Sequence, residues 1–389
     1  MRRYATLLPL LVCTSLLSAQ KTWIVDARGG LGSHFSDLPQ AVQKAKDGDI
    51  LLMRPGRYSG VTIASKGLSI LGGNGVSIQP AVNKAPFTIT NLPKTSKMVL
   101  RGLRFEEWAY RAKATLQISS CRGIVLVEEC VVLEPHLAFG PAVSISSSSS
   151  VVFNHSAVRQ GLKSVGSDLV FNGSLSYYKP KGFGFPGIIT EGGSLELNQA
   201  TIVPGFHRPH TSNVLPYGVE AKNSTILVRG DSFSDIFGGF DQVTRKKLPA
   251  FFDHGGSRLF LDPDVTYEGK LTSFGNRVIR RQMPSLMARS GSLGGMIQGE
   301  LYPPAGSAFV ILVALPMNKI STPWGDSWLD PRSTLPLSVG SVTKRVRKSY
   351  SLPLPKLSQL LGLNLAFQAF SSNQRGFQLS NAGVTAIHN

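Results

Sequence analysis

The sequence predicts an all-β protein: a right-handed parallel β-helix with an N-terminal capping helix, followed by a small β-sandwich. Runs of about four residues with alternating polarity recur from residue 50 to about 270, and Gly, Pro, Asn or Ser closes each run. Such brief strands with frequent corners are typical of a solenoid in which each coil stacks on the next. From residue 284 the strand-like runs become longer, which indicates a second unit.

Residues 1–19 are predicted to be a secretory signal peptide. Arg2 and Arg3 precede the apolar runs LLPLLV and SLL, and a Ser-Ala pair offers a cleavage site. The apolar stretch is shorter than the roughly 20 residues of a spanning helix, and Cys13 does not lie in a clear lipoprotein signal. We therefore expect a secreted or cell-envelope protein without a transmembrane segment, and lipid anchoring is the alternative.

The segment HFSDLPQAVQKAKDGD predicts a short helix over residues 37–46, with Ser36 as its cap. Apolar residues recur at the spacing of one helix face: Leu38, Ala41, Val42 and Ala45. The period then changes to two in ILLM, GVTI, LSIL, GVSI and FTIT. Because an open solenoid end exposes strand edges and an apolar core, the helix is expected to cover the first coil. The alternative, phosphate binding by ARGGLGSHF, lacks the Walker and G-x-G-x-x-G patterns.

The predicted β-helix unit spans residues 20–283 and includes two features that need a structural explanation. The serine run 146–150 is closely flanked by Ile145 and Val151, which favours a coil corner with stacked polar side chains over a linker. Cys121 and Cys130 lie in ISSCRGIVLVEECVVL, where a straight strand would hold them too far apart for a disulfide. Two inward thiols are therefore favoured over a bridge, although export permits one.

The stretch VDARGGLGSHFSDLPQAVQKAKDGDILLMRPGRYSGVTIASKGLSILGG resembles the N-terminal part of pectate-lyase-like and right-handed β-helix repeat proteins. The match covers residues 23–73, and the later repeats follow only by pattern. The resemblance implies the fold, whereas the activities of this superfamily include lyases, hydrolases, esterases and epimerases besides proteins without known catalysis. The motifs of polygalacturonase-like enzymes are absent, and DIFGG (235–239) resembles a pectin methylesterase motif only loosely.

A lyase or epimerase acting on uronic-acid polysaccharide would need a base and cations that stabilise an enolate. The residues that could supply this chemistry fall late in the repeats: Asp231, Asp235, Asp241, Arg245, Lys246, Lys247, Asp253, His254 and Arg258. Under this alternative Ca²⁺ could bind several carboxylates on one face; otherwise no cofactor is expected. The competing interpretation is a coil insertion with solvated charges.

A loop of aromatic and basic residues, SYYKPKGFGFPG (176–187), is the candidate for substrate binding. Aromatic faces can stack on sugar rings while lysines contact carboxylates. The residues are Tyr177, Tyr178, Lys179, Lys181, Phe183 and Phe185. The alternative is that some of the rings pack against the adjoining coil. His207 and His210 have the spacing of a metal pair, but without an acidic companion no metal site is predicted.

The formal charge is +18, and it falls to +16 when Arg2 and Arg3 leave with the signal. This excess favours an acidic polysaccharide or another anionic cell-surface polymer. Only TRKK (244–247) and TKRVRK (343–348) cluster the charge, and neither has the interleaved aromatics of a nucleic-acid groove. No specific nucleic acid is therefore expected.

Residues 284–389 are predicted to form an independent β-sandwich. Long alternating strands such as SAFVILVAL and LNLAFQAF are separated by Pro, Gly and Ser. The unit resembles a C-terminal module of exported planctomycete proteins whose function is not established, so it implies compartment and fold. Two hypotheses follow for the whole chain: a non-catalytic glycan-binding protein outside the cytoplasm, which the missing catalytic set favours, or a uronic-acid lyase or epimerase.

Overall fold

The computed structural model describes residues 20–79, 87–106, 114–133, 140–177, 185–207, 215–231, 234–241, 244–374 and 376–389. The predicted signal peptide lies outside these residues. The described chain is mostly β, and up to residue 280 nearly all of its strand pairs are parallel. Successive strands belong in turn to three parallel ladders, so each strand pairs with the strand about one repeat later in the chain.

Ladder 1 consists of β4 (Thr62–Ala64), β7 (Phe87–Thr90), β10 (Leu116–Ser119), β13 (Val143–Ser146), β16 (Leu162–Val165), the first parts of β19 (Ile188–Asn198) and β22 (Val219–Arg229), β26 (Phe251–Asp253) and β29 (Leu271–Thr272). Ladder 2 consists of β1 (Thr22–Val25), β2 (Ile50–Met53), β5 (Ser69–Leu71), β8 (Lys97–Arg101), β11 (Ile124–Glu128), β14 (Val151–Asn154), β17 (Asp168–Asn172), the second parts of β19 and β22, β27 (Arg258–Leu261) and β30 (Val278–Arg280).

Ladder 3 consists of β3 (Gly56–Ser59), β6 (Val76–Gln79), β9 (Arg104–Phe105), β12 (Val131–Val132), β15 (Ala157–Arg159), β18 (Leu175–Tyr177), β20 (Thr201–Val203), β23 (Asp235–Phe237) and β28 (Thr266–Glu268). A small separate sheet contains β21 (Phe206–His207), β24 (Phe240–Asp241) and β25 (Lys246–Lys247). The inward side chains of the three ladders form one continuous apolar core.

The corners between ladder 1 and ladder 2 use small polar residues with a left-handed backbone. The φ angles are 58° at Ser65, 54° at Asn91, 54° at Ser120 and 49° at Ser147, a region that most L-residues disfavour. After the Ser147 corner, the Ser148 hydroxyl oxygen accepts from the Cys121 backbone N–H at 3.2 Å. The serine run is therefore a corner with stacked polar side chains, as predicted.

The single helix of the described residues, α1 (Leu38–Lys44), packs on the first coil. Leu38 and Ala41 are fully buried within the core that also contains the first strands. The predicted cap, Ser36, is wrong: Asp37 is the N-cap residue, and its Oδ1 accepts from the backbone N–H groups of Leu38 (2.8 Å) and Ser59 (2.9 Å). One carboxylate thus caps the helix and joins it to ladder 3.

Cys121 and Cys130 are buried and unbridged, as expected for inward thiols. Burial raises the pKa of Cys130 to about 12, which keeps the thiol protonated and unreactive.

Residues 285–388 form antiparallel sheets around a second apolar core. One sheet contains β31 (Ser285–Arg289), β33 (Met296–Tyr302) and β38 (Lys348–Pro353). A second contains β32 (Gly291–Ser292), which pairs in parallel with the last strand, β34 (Ala308–Ala314), β37 (Leu335–Ser341), β39 (Asn364–Asn373), β40 (Gly376–Leu379) and β41 (Gly383–His388). The strands β35 (Pro316–Thr322) and β36 (Gly325–Leu329) form a hairpin. We call residues 284–389 the C-terminal unit.

The C-terminal unit packs on the outer face of ladder 2 through a third apolar cluster. Ladder 2 contributes one outward residue from each of six successive strands, and the C-terminal unit contributes the rest: Ile50, Leu71, Val99, Leu126, Val152 and Val170, with Ala314, Trp328, Leu329, Leu361, Ala366, Ala382, Val384 and Ala386. The strand pairing changes from parallel to antiparallel between β30 and β31, and the predicted domain division at residue 284 stays a prediction. That the unit folds independently stays a prediction, because alone it would expose this apolar surface.

Buried polar groups complete the same interface. Glu128 is fully buried and accepts from Thr385 Oγ1 at 2.6 Å, from the Ala386 backbone N–H at 3.0 Å and from Asn154 Nδ2 at 2.9 Å. Two strands further along ladder 2, Asn172 Nδ2 donates to the Ala382 carbonyl at 2.9 Å. Glu128 and Asn172 on this face of ladder 2 therefore have hydrogen-bond partners in the C-terminal unit, as burial requires.

The basic run TKRVRK belongs to this interface as well. Arg345 is 6% exposed and forms ion pairs with Asp262 and, at 3.0 Å, with Asp264. Arg347 binds Asp231 at 2.5 Å. Two of the four basic residues in this run, Arg345 and Arg347, thus attach the C-terminal unit to the preceding strands.

Candidate functional site

The outer face of ladder 1 is left uncovered by the C-terminal unit, which packs on ladder 2. Strand register places two columns of outward residues along it. In strands β4, β7, β10 and β13, the first column contains Thr62, Thr88, Gln117 and Ser144. The second column contains Ala64, Thr90, Ser119 and Ser146. This half of the face therefore presents small polar groups at the regular spacing of the strands.

The later coils of the same face carry aromatic and charged side chains. The rings of Tyr217 and Phe252 are stacked with centroids 4.4 Å apart and an angle of 5° between their planes. His254 contacts the edge of Phe252 at 4.9 Å, and its Nε2 lies 2.6 Å from Glu220 Oε1. Burial and the nearby Glu220 carboxylate raise the pKa of Tyr217, so the phenol stays neutral.

A cavity of about 380 Å³ lies beside the aromatic pair. It is lined by Ile189, Thr190, Glu191, Glu220, Ala221, Lys222 and His254. Lys163, one coil earlier, is paired with Glu191 at 3.2 Å, whereas Lys222 is exposed and makes no ion pair with any described residue. The arrangement offers an apolar ring surface, an exposed ammonium group and a carboxylate–imidazole pair within one surface.

The predicted aromatic loop precedes β19, one of the strands of this face. Tyr178, Lys179, Lys181 and Phe183 lie outside the described residues. Tyr177 ends β18, and its hydroxyl is hydrogen-bonded by the Arg159 guanidinium, which lies 5.3 Å from the ring centroid. Phe185 is 8% exposed and lies next to Gly161, so it packs on a coil and presents little surface to a sugar. The alternative interpretation of the loop therefore applies to Phe185.

The candidate catalytic residues are not gathered into one site. Asp231 is held by Arg347 in the interface with the C-terminal unit. Asp253 lies on the same side of its strand as the core residue Phe251, and its fully buried carboxylate accepts from Arg277 at 2.9 Å. His254, the next residue, points outward. Because side chains alternate along a strand, Asp253 and His254 lie on opposite faces of the sheet.

The remaining candidates are also dispersed. Asp235 lies in ladder 3, and Asp241 accepts from Thr244 Oγ1 at 2.6 Å. The exposed residues Arg245, Lys246, Lys247 and Arg258 lie at the β24–β25 turn, in β25 and at the start of β27, and Lys247 is paired with Glu268. For metal binding, His210 and the side chain of His207 lie outside the described residues, and the described residues contain no group of three potential ligands.

Sequence reasoning missed Tyr217, Glu220 and Phe252. These side chains lie close together because Glu220 pairs with Phe252 between the adjacent strands β22 and β26. The sequence alone does not fix this pairing. The local signal was the alternation in AFFDH, which places Phe252 and His254 on one side and Phe251 and Asp253 on the other.

Comparison of the chain with protein-family models, curated proteins and solved structures gives no match. In the described part of the chain, no helix combines the length and the apolar character needed to span a membrane. Any function must therefore be argued from the geometry of this face.

Proposed function

We propose that the chain is an exported right-handed parallel β-helix protein with a C-terminal β-sandwich, and that it binds acidic polysaccharide outside the cytoplasm or at the cell envelope. The parallel pairing of three strand ladders supports the β-helix. The observation that carries the binding proposal is the Tyr217–Phe252 stack beside the exposed Lys222 on the uncovered face of ladder 1.

The chemistry of this face suits a uronic-acid chain. Aromatic surface contributes a short-range stacking interaction of roughly 0.5–1.5 kcal/mol beyond its area, and an ammonium group attracts a sugar carboxylate. Threonine, serine and glutamine side chains of the earlier coils can donate to hydroxyl groups. An extended polymer would follow the strand repeat along the face.

Binding to polygalacturonate at 0.1 M and 1 M NaCl tests the proposal. The Debye screening length shortens to roughly 3 Å at molar salt, which weakens charge interactions but not ring stacking. Tyr217→Ala and Phe252→Ala should therefore weaken binding at both salt concentrations, whereas Lys222→Gln should mainly reduce the salt dependence. Ile279→Ala, at an exposed apolar residue of β30 outside ladder 1, is the matched control. Equal affinities of the wild type and the aromatic variants at 1 M NaCl would refute the site.

The same measurement tests the predicted loop. Tyr177→Ala combined with Phe183→Ala should weaken binding at high salt if the loop stacks on the glycan, and a double substitution of Lys179 and Lys181 should mainly change the salt dependence. Wild-type affinity of the double aromatic variant at 1 M NaCl would remove the loop from the site.

A lyase or epimerase is the second candidate, and the His254–Glu220 pair favours it. A carboxylate that holds an imidazole orients it as a proton acceptor. Absorbance from unsaturated products on acidic polysaccharides, with and without Ca²⁺, tests for the lyase. Product formation that disappears in His254→Ala would favour the enzyme; no product with any substrate would favour binding alone.

A further inference from the structure

The C-terminal unit exposes a group of three aromatic rings, none of which belongs to ladder 1. Trp324 lies at the tip of the β35–β36 hairpin and is 48% exposed, and Phe377 on β40 is 54% exposed. The half-buried Phe370 on β39 lies between them, 5.7 Å from Trp324 and 5.2 Å from Phe377 between ring centroids. We call these three rings the aromatic platform.

The platform is exposed although the same elements bury other large rings. Trp328 in the same hairpin is 1% exposed, and Phe367 on β39 is fully buried. The Trp328 backbone N–H donates to Gln368 Oε1 at 3.2 Å, and Gln368 Nε2 donates to the Asp326 carbonyl at 2.6 Å. The fold thus has a buried position for one tryptophan and leaves the other at the surface.

The backbone around Trp324 is held in place. Thr322 Oγ1 accepts from the Trp324 N–H at 3.2 Å and donates to the Gly325 carbonyl at 2.6 Å. The Leu379 N–H donates to the Trp324 carbonyl at 2.9 Å. These contacts hold the backbone of the hairpin tip against β40, and a backbone fixed before binding lowers the entropic cost of binding.

The polar surroundings of the platform suit a ligand without charge. Asp326 is paired with Lys319 at 3.3 Å and accepts from Ser321 Oγ at 2.8 Å. Ser372 lies directly across the strand pair from Phe377, on the same face. Ring surface bordered by a hydroxyl group, with the nearby charges of the hairpin already paired, is the chemistry of pyranose recognition.

The size of the platform argues against a second copy of the chain as the occupant. A large aromatic side chain has roughly 150–250 Å² to bury, so two half-exposed rings offer on the order of 200 Å². A stable protein interface uses about 800 Å² from each partner.

We propose that the aromatic platform is a second carbohydrate site, specific for the apolar face of a neutral pyranose chain. It is separate from the ladder 1 face and does not depend on the function proposed there.

Titration of the full-length mature protein with cellohexaose, xylohexaose and mannohexaose in 1 M NaCl tests this proposal. At least one of these probes should bind, and Trp324→Ala and Phe377→Ala should each lower its affinity on the order of tenfold. Val339→Ala is the matched control, because Val339 is 77% exposed and apolar on the same sheet. Tyr217→Ala should leave this affinity unchanged, which separates the test from that of ladder 1.

Three results would overturn the proposal: binding of none of the probes by the wild type, wild-type affinity in Trp324→Ala, or equal losses in Trp324→Ala and Val339→Ala. Light scattering adds a further check, since a wild-type dimer that Trp324→Ala dissociates would assign the platform to self-association.

Discussion

Glu128 offers a direct test of how the C-terminal unit is attached to ladder 2. Its fully buried carboxylate accepts three hydrogen bonds, from Thr385, Ala386 and Asn154. Glu128→Ala leaves these buried donors without an acceptor, and removing one member of such a group costs about 3 kcal/mol of unfolding free energy. Glu128→Gln keeps the shape and one acceptor oxygen, so it should cost about 1 kcal/mol at pH 5.

The pH dependence gives the sharper measurement. Burial raises the pKa of Glu128 from 4.5 to about 7 despite the hydrogen bonds and the Arg101 charge, which lower it. The folded state therefore binds the proton more tightly than the unfolded state, so protonation of Glu128 stabilises the fold. This contribution to the unfolding free energy is complete below about pH 4.5 and is lost as the pH rises through about 7. The shift corresponds to about 3 kcal/mol.

Urea unfolding at pH 5 and pH 8 measures this effect. Burial lowers the pKa values of His155 and His388, which contribute with the opposite sign, so the difference between the wild type and Glu128→Gln is the relevant quantity. The wild type should lose about 3 kcal/mol more than the variant between the two pH values. Glu129→Gln, at the exposed neighbouring residue, is the control. The same pH dependence in the wild type and Glu128→Gln would refute the reasoning.

Three other variants test the packing. Leu38→Asp should cost several kcal/mol or cause aggregation, because it places a charge in the buried face of α1; an unchanged melting temperature would contradict the capping role. The fragment 284–389 should unfold cooperatively if it is an independent domain, although its exposed interface should bind a hydrophobic dye; an insoluble or molten fragment would show that it needs ladder 2. Arg345→Ala should destabilise the full chain by about 3 kcal/mol in chemical denaturation, because Asp262 is left buried and unpaired; a loss below 1 kcal/mol would count against this.

Local patterns in the sequence predicted much of the fold, because they depend on neighbouring residues. The apolar spacing of Leu38 and Ala41 predicted the buried helix face, and the serine run predicted a corner. The partner of ladder 2 was not predicted, since it depends on contacts between residues up to 258 positions apart, such as Glu128 and Ala386. A usable signal existed: runs such as GIVLVEE are apolar on both strand faces, which indicates burial on both sides.

The candidate site was predicted only in part for a similar reason. His254 was singled out by its residue type, and it does lie on the uncovered face. Its partner Glu220 is 34 residues away, and the length of the intervening coil, rather than any local motif, brings the two side chains together.

The apolar contact of the C-terminal unit with six successive strands of ladder 2 affects how the protein unfolds. A linear array whose repeats touch only their neighbours can fray from an end, one repeat at a time. Here a single folded body spans many repeats at once, so the strands between Ile50 and Val170 cannot separate without releasing it. We expect native-state hydrogen exchange to show these strands opening as one cooperative unit.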